Sequence, residues 1–228
     1  MFNFNAMPQQ VDRELLDLLQ QAEPATIGHF RFTGFMQPTI RAHFPDRRVA
    51  GTAITVRTPP MDSSIIHYAL GKVRPGDILV IDRCGDETIA TMGGAVAYAA
   101  KCAGLAGIIV DGLVTDLGEL RAYGVPIWSK GSCAVTTKGL ALGGEFCIPI
   151  SCGGVAVNPG DAILADENGI LVIPPADIAA AAKRAIEMQI AEKTTLQRLD
   201  AGEKYPDITG ATGRINAALE KQGLARKT

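Results

Sequence analysis

The chain has no excess of positive charge, no long apolar run and no paired cysteine pattern, and each absence removes a class of function. Its 22 Lys+Arg and 24 Asp+Glu leave a net charge of −2. Without a basic stripe there is little to neutralise phosphates, so nucleic acid is not expected as the main ligand. Apolar runs free of charge, such as residues 103–110, are far short of the roughly 20 residues of a membrane-spanning helix. No membrane partner is expected. The opening residues Met1-Phe2-Asn3-Phe4-Asn5 lack the basic start and apolar stretch of a signal peptide, and a cytoplasmic location is the expectation. Cys84, Cys102, Cys133, Cys147 and Cys152 include no CxxC and no histidine at ligand spacing, which argues against zinc or disulfides. Cys102, in an apolar helical stretch, and Cys147, beside a strand-like run, are expected to be buried free thiols. His29, His43 and His67 are scattered and form no metal box.

What is present suffices for a core. Of 228 residues, 47% are hydrophobic and 20% charged, a composition that excludes disorder for the bulk of the chain. Residues 10–22 place apolar side chains on one helical face, with Pro24 as the stop. An irregular arm runs to residue 48. Residues 49–57 alternate as a strand, and Asp62-Ser63-Ser64 is the expected N-cap of a helix through Lys72. Residues 78–81 and 107–110 read as buried strands, separated by a helix that Gly93-Gly94 opens and Gly104 closes. Residues 111–116 are expected as a loop, 117–123 as a short helix stopped by Gly124, and Pro126-Ile127-Trp128 as the start of the next strand. Alternating strands and helices at this spacing predict a βαβ core with a largely parallel sheet. Short strands with tight turns are expected over 148–174. A long helix over 176–200, whose second half is too polar for the core of one subunit, would cross to a neighbour. A last helix over 210–223 and a loose tail at 225–228 complete one domain: arm 1–48, α/β core 49–174, helical extension 175–228.

Ligands of open α/β sheets sit beyond the carboxyl ends of strands, near helix starts. Gly93-Gly94 would let a substrate approach the backbone N–H groups of Ala95 and Val96. Asp111 and Asp116, in the loop after residues 107–110, are natural oxygen donors for Mg²⁺. An anion-holding helix start facing a metal-holding loop suits a small 2-oxo acid. The plain alternatives are an ordinary Gly-Gly turn and an Asp that merely caps a helix.

Residues 93–131, GGAVAYAAKCAGLAGIIVDGLVTDLGELRAYGVPIWSKG, resemble the central segment of the RraA-like family. That family holds class II 4-hydroxy-4-methyl-2-oxoglutarate/4-carboxy-4-hydroxy-2-oxoadipate aldolases and regulators of ribonuclease E activity. The similarity extends through VAGTAITVRTPP, the run from His67 to Ile81, VNPGDAILADENGILVIP and RLDAGEKYPDITG. The resemblance implies a swivelling-type β/β/α layered core, trimers or hexamers, and active sites shared by adjacent subunits. It implies that Asp116 binds the metal, Mg²⁺ or another divalent ion such as Mn²⁺. The substrate's pyruvyl carboxylate would sit on the amides of Ala95 and Val96 after Gly93. Lys130 falls where some of the aldolases have Lys, and Glu192 or Glu187 of a neighbour's C-terminal helix would support the metal's water.

Two departures fall at the chemistry. The family reads Gly-x-x-Arg-Asp where this chain has Gly112-Leu113-Val114-Thr115-Asp116. The Arg that holds the 2-oxo acid is thus replaced by the uncharged Thr115, and losing such a charged partner commonly costs about 2–5 kcal/mol. The aldolases also carry an acidic residue where this chain has Gly94. Arg83 is the candidate substitute cation, with Asp86 or Glu87 as the substitute carboxylate. His67 is expected to be structural or capping rather than a proton carrier, and Tyr98 and Trp128 to be core or subunit contacts. The implied function is a metal-dependent lyase of the aldolase type on a 2-oxo acid, with oxaloacetate decarboxylation as a related activity. The alternatives are a metal enzyme for another small carboxylic acid, with Thr115 contacting its substrate, and a non-catalytic ring that binds an RNase.

Overall fold

A computed structural model describes residues 1–224; the tail expected to be loose lies outside the described residues. In chain order, β1 (Phe2–Phe4), α1 (Arg13–Leu19), α2 (Pro24–Ile27) and β2 (Arg41–Ala42) precede β3 (Val49–Arg57) and α3 (Ser64–Leu70). Then come β4 (Asp77–Asp82), α4 (Gly94–Cys102), β5 (Gly107–Val114), α5 (Leu117–Tyr123) and β6 (Ile127–Ser132). The short strands β7 (Gly144–Phe146), β8 (Ile150–Cys152), β9 (Val155–Val157), β10 (Ala162–Ala165) and β11 (Ile170–Ile173) follow. Helices α6 (Ile178–Asp200), α7 (Tyr205–Ile208) and α8 (Ala211–Lys221) end the described chain. Two compact units result, Met1–Arg184 and Ala185–Thr228, with the boundary inside α6.

The first unit is built on a nine-stranded sheet whose main path runs β1-β7-β3-β4-β5-β6-β2. Strands β3, β4, β5 and β6 are parallel neighbours in sequence order. Right-handed crossovers in a monotonic order place the intervening helices on one face. Period-two alternation then sorts the strand residues. Ile54, Val56, Leu79, Ile81, Ile108 and Val110 point into a cluster with Ile65, Ile66 and Ala69 of α3, Val96, Ala97 and Ala100 of α4, and Leu120 of α5. Ala53, Ile78, Val80, Ile109 and Trp128 point the other way, into a cluster with Ile150 and Cys152 of β8, Val157 of β9, Ile163 of β10 and Val172 of β11. Helices, sheet and a small second β layer therefore stack as the expected β/β/α order. Burial on both faces explains why β4 reads as an unbroken apolar run, and each such Ile, Leu or Val contributes roughly 1.5–3 kcal/mol. β3 pairs antiparallel with β10 at its start and with β7 at its end.

Several local expectations give way. Helix α1 is shorter than residues 10–22 because Asp12 caps it, accepting a bond from Glu14 N at 2.9 Å, while Val11 N donates to Thr52 Oγ1 of β3 at 3.0 Å. Pro24 is the first residue of α2 instead of only a stop, where its fixed φ and missing N–H cost nothing. Residues 111–114 are not loop: β5 continues to Val114 past a register irregularity between Val110 and Leu113. Cys147 is buried as expected, whereas Cys102 is exposed. The buried face of α4 is Gly94, Val96, Ala97 and Ala100, and a residue two beyond Ala100 points away from it. Trp128 is core, with Nε1 donating to Asp166 O at 2.8 Å. Tyr98 is exposed and stacks edge-on against Tyr123, centroids 5.0 Å apart, so it is not core.

In the second unit α6 ends near Gly202, which adopts φ +87°, a conformation that favours glycine. Arg198 and Glu203 pair across that end at 2.6 Å. Ile190, Leu196, Tyr205 and Ile215 are exposed large apolar side chains. Among the described residues no helix is long and apolar enough to cross a membrane.

Candidate functional site

Because β3 to β6 run parallel, the loops that follow them gather at one edge of the sheet. A cavity of about 310 Å³ opens there, walled by the segment before α4 (Thr91 to Val96), the turn before α5 (Thr115 and Asp116), the start of α3 (Ser63 and His67) and the segment after β6 that includes Lys138. Gly93, Gly94, Ala95, Val96, Thr115 and Asp116 are thus brought together around one space, as the sequence reading placed them.

Asp116 is the centre of this arrangement. It adopts the left-handed conformation, φ 57° and ψ 39°, which a non-glycine residue occupies at a cost and which clusters at functional sites. Its Oδ2 accepts a bond from Gly94 N at 2.9 Å, and its Oδ1 accepts a longer one, 3.3 Å, from Thr115 Oγ1. The Asp116 carbonyl accepts Glu119 N and Leu120 N at 2.8 and 3.0 Å, starting α5. Its side chain is therefore not the cap of its own helix but reaches across to the start of α4. Gly93 is extended, so its need for glycine is one of space: a Cβ there would overlap Asp116 Oδ2 and lie 2.7 Å from Thr115 Cγ2. The first-turn N–H groups of Ala95 and Val96 have no carbonyl one turn earlier to bond, and both residues line the cavity.

Other expected residues are elsewhere. Arg83 is not a free loop cation; it is fully buried, donating to Pro59 O at 3.2 Å, Pro60 O at 2.6 Å and Asp86 Oδ2 at 2.9 Å. It packs beneath the β5 irregularity, where a Cβ on Gly112 would meet Arg83 Cγ at 2.7 Å. Its work is to hold loop carbonyls together. Asp86 is bound to Arg83 and Thr88; burial pushes its pKa up, but those bonds and backbone N–H groups outweigh it and hold the carboxyl below its ordinary value. Lys130 does not line the cavity either: its Nζ lies 2.7 Å from Glu87 and 2.9 Å from Asp111. The bond to Glu87, then that to Asp111, raises its pKa against burial. Asp111 in turn accepts Gly153 N at 2.8 Å, so Asp111 serves the fold. Glu187 and Glu192 lie on α6 in the second unit.

On the far wall, Lys138 was not singled out by the sequence, and His67 was weighed there only as a structural or capping residue against a proton carrier. Lys138 lines the cavity and is exposed, with no ion pair among the described residues. His67 lines it too, exposed on α3 and, among the described residues, without a side-chain hydrogen bond. It does not cap, because α3 turns Ile65, Ile66 and Ala69 inward and His67 out. A polar Thr-Thr-Lys run just after a parallel strand was the signal for Lys138. Asp62 fixes this wall. Fully buried, it accepts Ser64 N, Ser64 Oγ, Leu140 N and Leu142 N at 2.9, 2.6, 3.0 and 2.6 Å. Burial alone would raise its pKa; the Ser64 hydroxyl and three backbone N–H groups reverse that and hold it far below the carboxylate range.

Could the site hold a divalent ion? Asp116 offers an exposed carboxylate whose Oδ1 has only one long hydrogen bond. No group of three ligating side chains assembles among the described residues. Mg²⁺ is commonly bound by one or two carboxylates with water completing its shell, so the donor set fits that ion and not a closed tetrahedral metal site.

Residues 17–172 match the profile of RraA-like proteins, described as Aldolase/RraA. A Thermus thermophilus protein named 4-hydroxy-4-methyl-2-oxoglutarate aldolase is 37% identical over 128 residues, 56% of this chain and 76% of that one. A Halalkalibacterium halodurans protein, named provisionally for the same activity, is 33% identical over 183 residues, 80% of this chain and 82% of its own length. Among solved structures, Streptomyces coelicolor RraAS2, described as an unusual member of the RNase ES inhibitor RraA family, superposes with a TM-score of 0.73 at 28% identity. It covers 82% of this chain and 98% of that one. On its fold, its layered sheet and this match, the chain belongs to the RraA-like family.

Proposed function

We propose that the protein is a divalent-metal-dependent carbon–carbon lyase acting on a 2-oxo acid, of the 4-hydroxy-4-methyl-2-oxoglutarate aldolase type. The observation that carries this reading is that Asp116 and the first-turn residues Ala95 and Val96, whose N–H groups have no acceptor within the helix, line one cavity. Asp116 would hold Mg²⁺ or Mn²⁺, which as a Lewis acid draws electrons from the 2-oxo group. The start of α4 would bind the adjacent carboxylate through backbone N–H groups and the positive end of the helix dipole. Lys138 faces the same space with its charge uncommitted and replaces Arg83 and Lys130 as the cation for the substrate's second carboxylate. Thr115 offers a hydroxyl where an Arg would grip the 2-oxo acid, which favours a weaker or altered substrate preference. Oxaloacetate, which leaves the same enolate on losing CO₂, is the second substrate to try. A homo-oligomer, with Glu192 or Glu187 of a neighbour approaching the site, belongs to the same reading.

The test is pyruvate release from 4-hydroxy-4-methyl-2-oxoglutarate and from oxaloacetate with Mg²⁺, with and without EDTA. Activity that EDTA removes and Asp116→Ala abolishes is expected; no pyruvate from either compound, or release indifferent to EDTA, overturns it. The likeness to an RNase-inhibitor family structure and the absence of Arg at position 115 support a second reading, a non-catalytic ring that binds an RNase. Co-purification of an RNase by a protein that takes up no metal would favour it.

A further inference from the structure

Gly94 lines the cavity, and the place that a side chain on it would take is occupied by a residue of α5. A Cβ built on Gly94 would overlap Glu119 Oε2 and lie 2.7 Å from Glu119 Cδ and 3.1 Å from its Cβ. The carboxylate of Glu119, reaching over from α5, thus stands where a side chain at position 94 would begin. Asp116 does the same one residue earlier, its Oδ2 occupying the space over Gly93. Two carboxylates from one turn of chain therefore cover two consecutive glycines at the start of α4. Among the described residues Glu119 has no cation partner; its side-chain contact is Tyr123 Oη at 3.5 Å, and it is exposed. An unneutralised carboxylate beside another carboxylate is repelled, and the α4 helix start offsets only part of that. A second observation points to a ligand here. Thr91, fully buried in the wall of the cavity that Gly94 and Asp116 line, has a hydroxyl with no hydrogen-bond partner among the described residues. Buried hydroxyls without partners are uncommon in folded proteins.

We infer that Glu119 is the second carboxylate of the ion site, supplying from α5 the negative charge and water-accepting oxygens that Gly94 cannot. This rests on the reading of Asp116 as the ion's ligand, and it concerns the charge around the ion, not the reaction performed there. Groups that orient the shell around a metal typically change its affinity by about 10- to 100-fold when lost.

The experiment is a Mn²⁺ titration followed by electron paramagnetic resonance on the full-length protein. The set is wild type, Asp116→Ala, the near-isosteric Glu119→Gln, Glu119→Ala, and Glu119→Ala combined with Gly94→Asp. Expected are loss of binding in Asp116→Ala and about tenfold or more weakening in both single Glu119 variants. The double variant, whose new side chain enters the space Glu119 left, should recover most of that loss. Equal Mn²⁺ affinity in wild type and Glu119→Gln overturns the inference, as does a double variant that binds no better than Glu119→Ala. Mn²⁺ uptake that follows this pattern in a protein releasing no pyruvate would leave the role of Glu119 standing and remove the lyase reading. No Mn²⁺ uptake by the wild type removes both.

Discussion

Adding one methyl group at position 93 separates what holds the fold from what serves the site. In Gly93→Ala the new Cβ would overlap Asp116 Oδ2 and sit 2.7 Å from Thr115 Cγ2, closer than carbon atoms approach without displacement. Thr115 is part of the turn and can give little; the Asp116 carboxylate is exposed and can rotate outward. Its 2.9 Å bond to Gly94 N is then broken. A hydrogen bond to a charged group is worth roughly 1.5–3 kcal/mol, and outward rotation into water keeps the loss near the lower bound, about 1.5 kcal/mol. For a chain of this size that corresponds to a fall in Tm of about 3–6 °C. The site suffers more, because rotating the carboxylate also carries Oδ1, the oxygen free for the proposed ion, out of place: Mn²⁺ affinity should fall at least about tenfold. Thermal unfolding by circular dichroism and Mn²⁺ titration on the same preparation measure both. If Gly93→Ala melts within about 1 °C of wild type and binds Mn²⁺ equally well, the close packing of Asp116 on Gly93 does not matter and the account of the site is wrong.

Other outcomes follow from the same geometry. Thr115→Arg should raise pyruvate release from the two proposed substrates; an inactive wild type that stays inactive with Arg in place would show that this position does not limit the chemistry. Lys138→Ala should raise KM for a dicarboxylic substrate several-fold, while Lys130→Ala, whose partners are Glu87 and Asp111, should leave KM nearly unchanged; the reverse pattern would return Lys130 to the site. Asp62→Asn places an amide group against four donors, and a drop of about 2–4 kcal/mol in urea unfolding is expected. The same carboxyl, held low in the folded state, binds a proton more readily when unfolded. Its contribution is therefore full above about pH 4, the ordinary carboxylate value, and is lost as pH falls further towards its folded value. Stability of the wild type should decline more steeply than that of Asp62→Asn below that pH, and parallel curves would refute the assignment.

The layered core was readable because its physics is local and periodic. Residues 78–81 and 107–110 are apolar without interruption, and only strands covered on both faces need that pattern. Asp116 and Gly93-Gly94 were readable as a pair because glycines before a helix and a carboxylate after a buried strand meet at one sheet edge. What escaped was set by which way single side chains turn. Arg83 read as a surface charge because nothing in DRCGDE shows that the loop folds its carbonyls around the guanidinium. Lys130 and Lys138 are eight positions apart, and choosing between them needed the partners of each, which come from distant loops. Glu119 could not be linked to Gly94 from spacing, since the contact depends on α5 leaning over the start of α4. Cys102 misled because an alanine-rich helix is apolar on more than the face it buries.

Strands β3 to β6 keep one order and one direction, so each connection at their exit ends is a separate tip resting on an unchanged platform. A charge removed from one tip can be restored from the next without repacking a single isoleucine beneath them. Glu119 standing over Gly94 has the form of such an exchange. On this scaffold, substrate choice can be altered by trading residues between neighbouring tips, at a stability cost confined to the tips themselves.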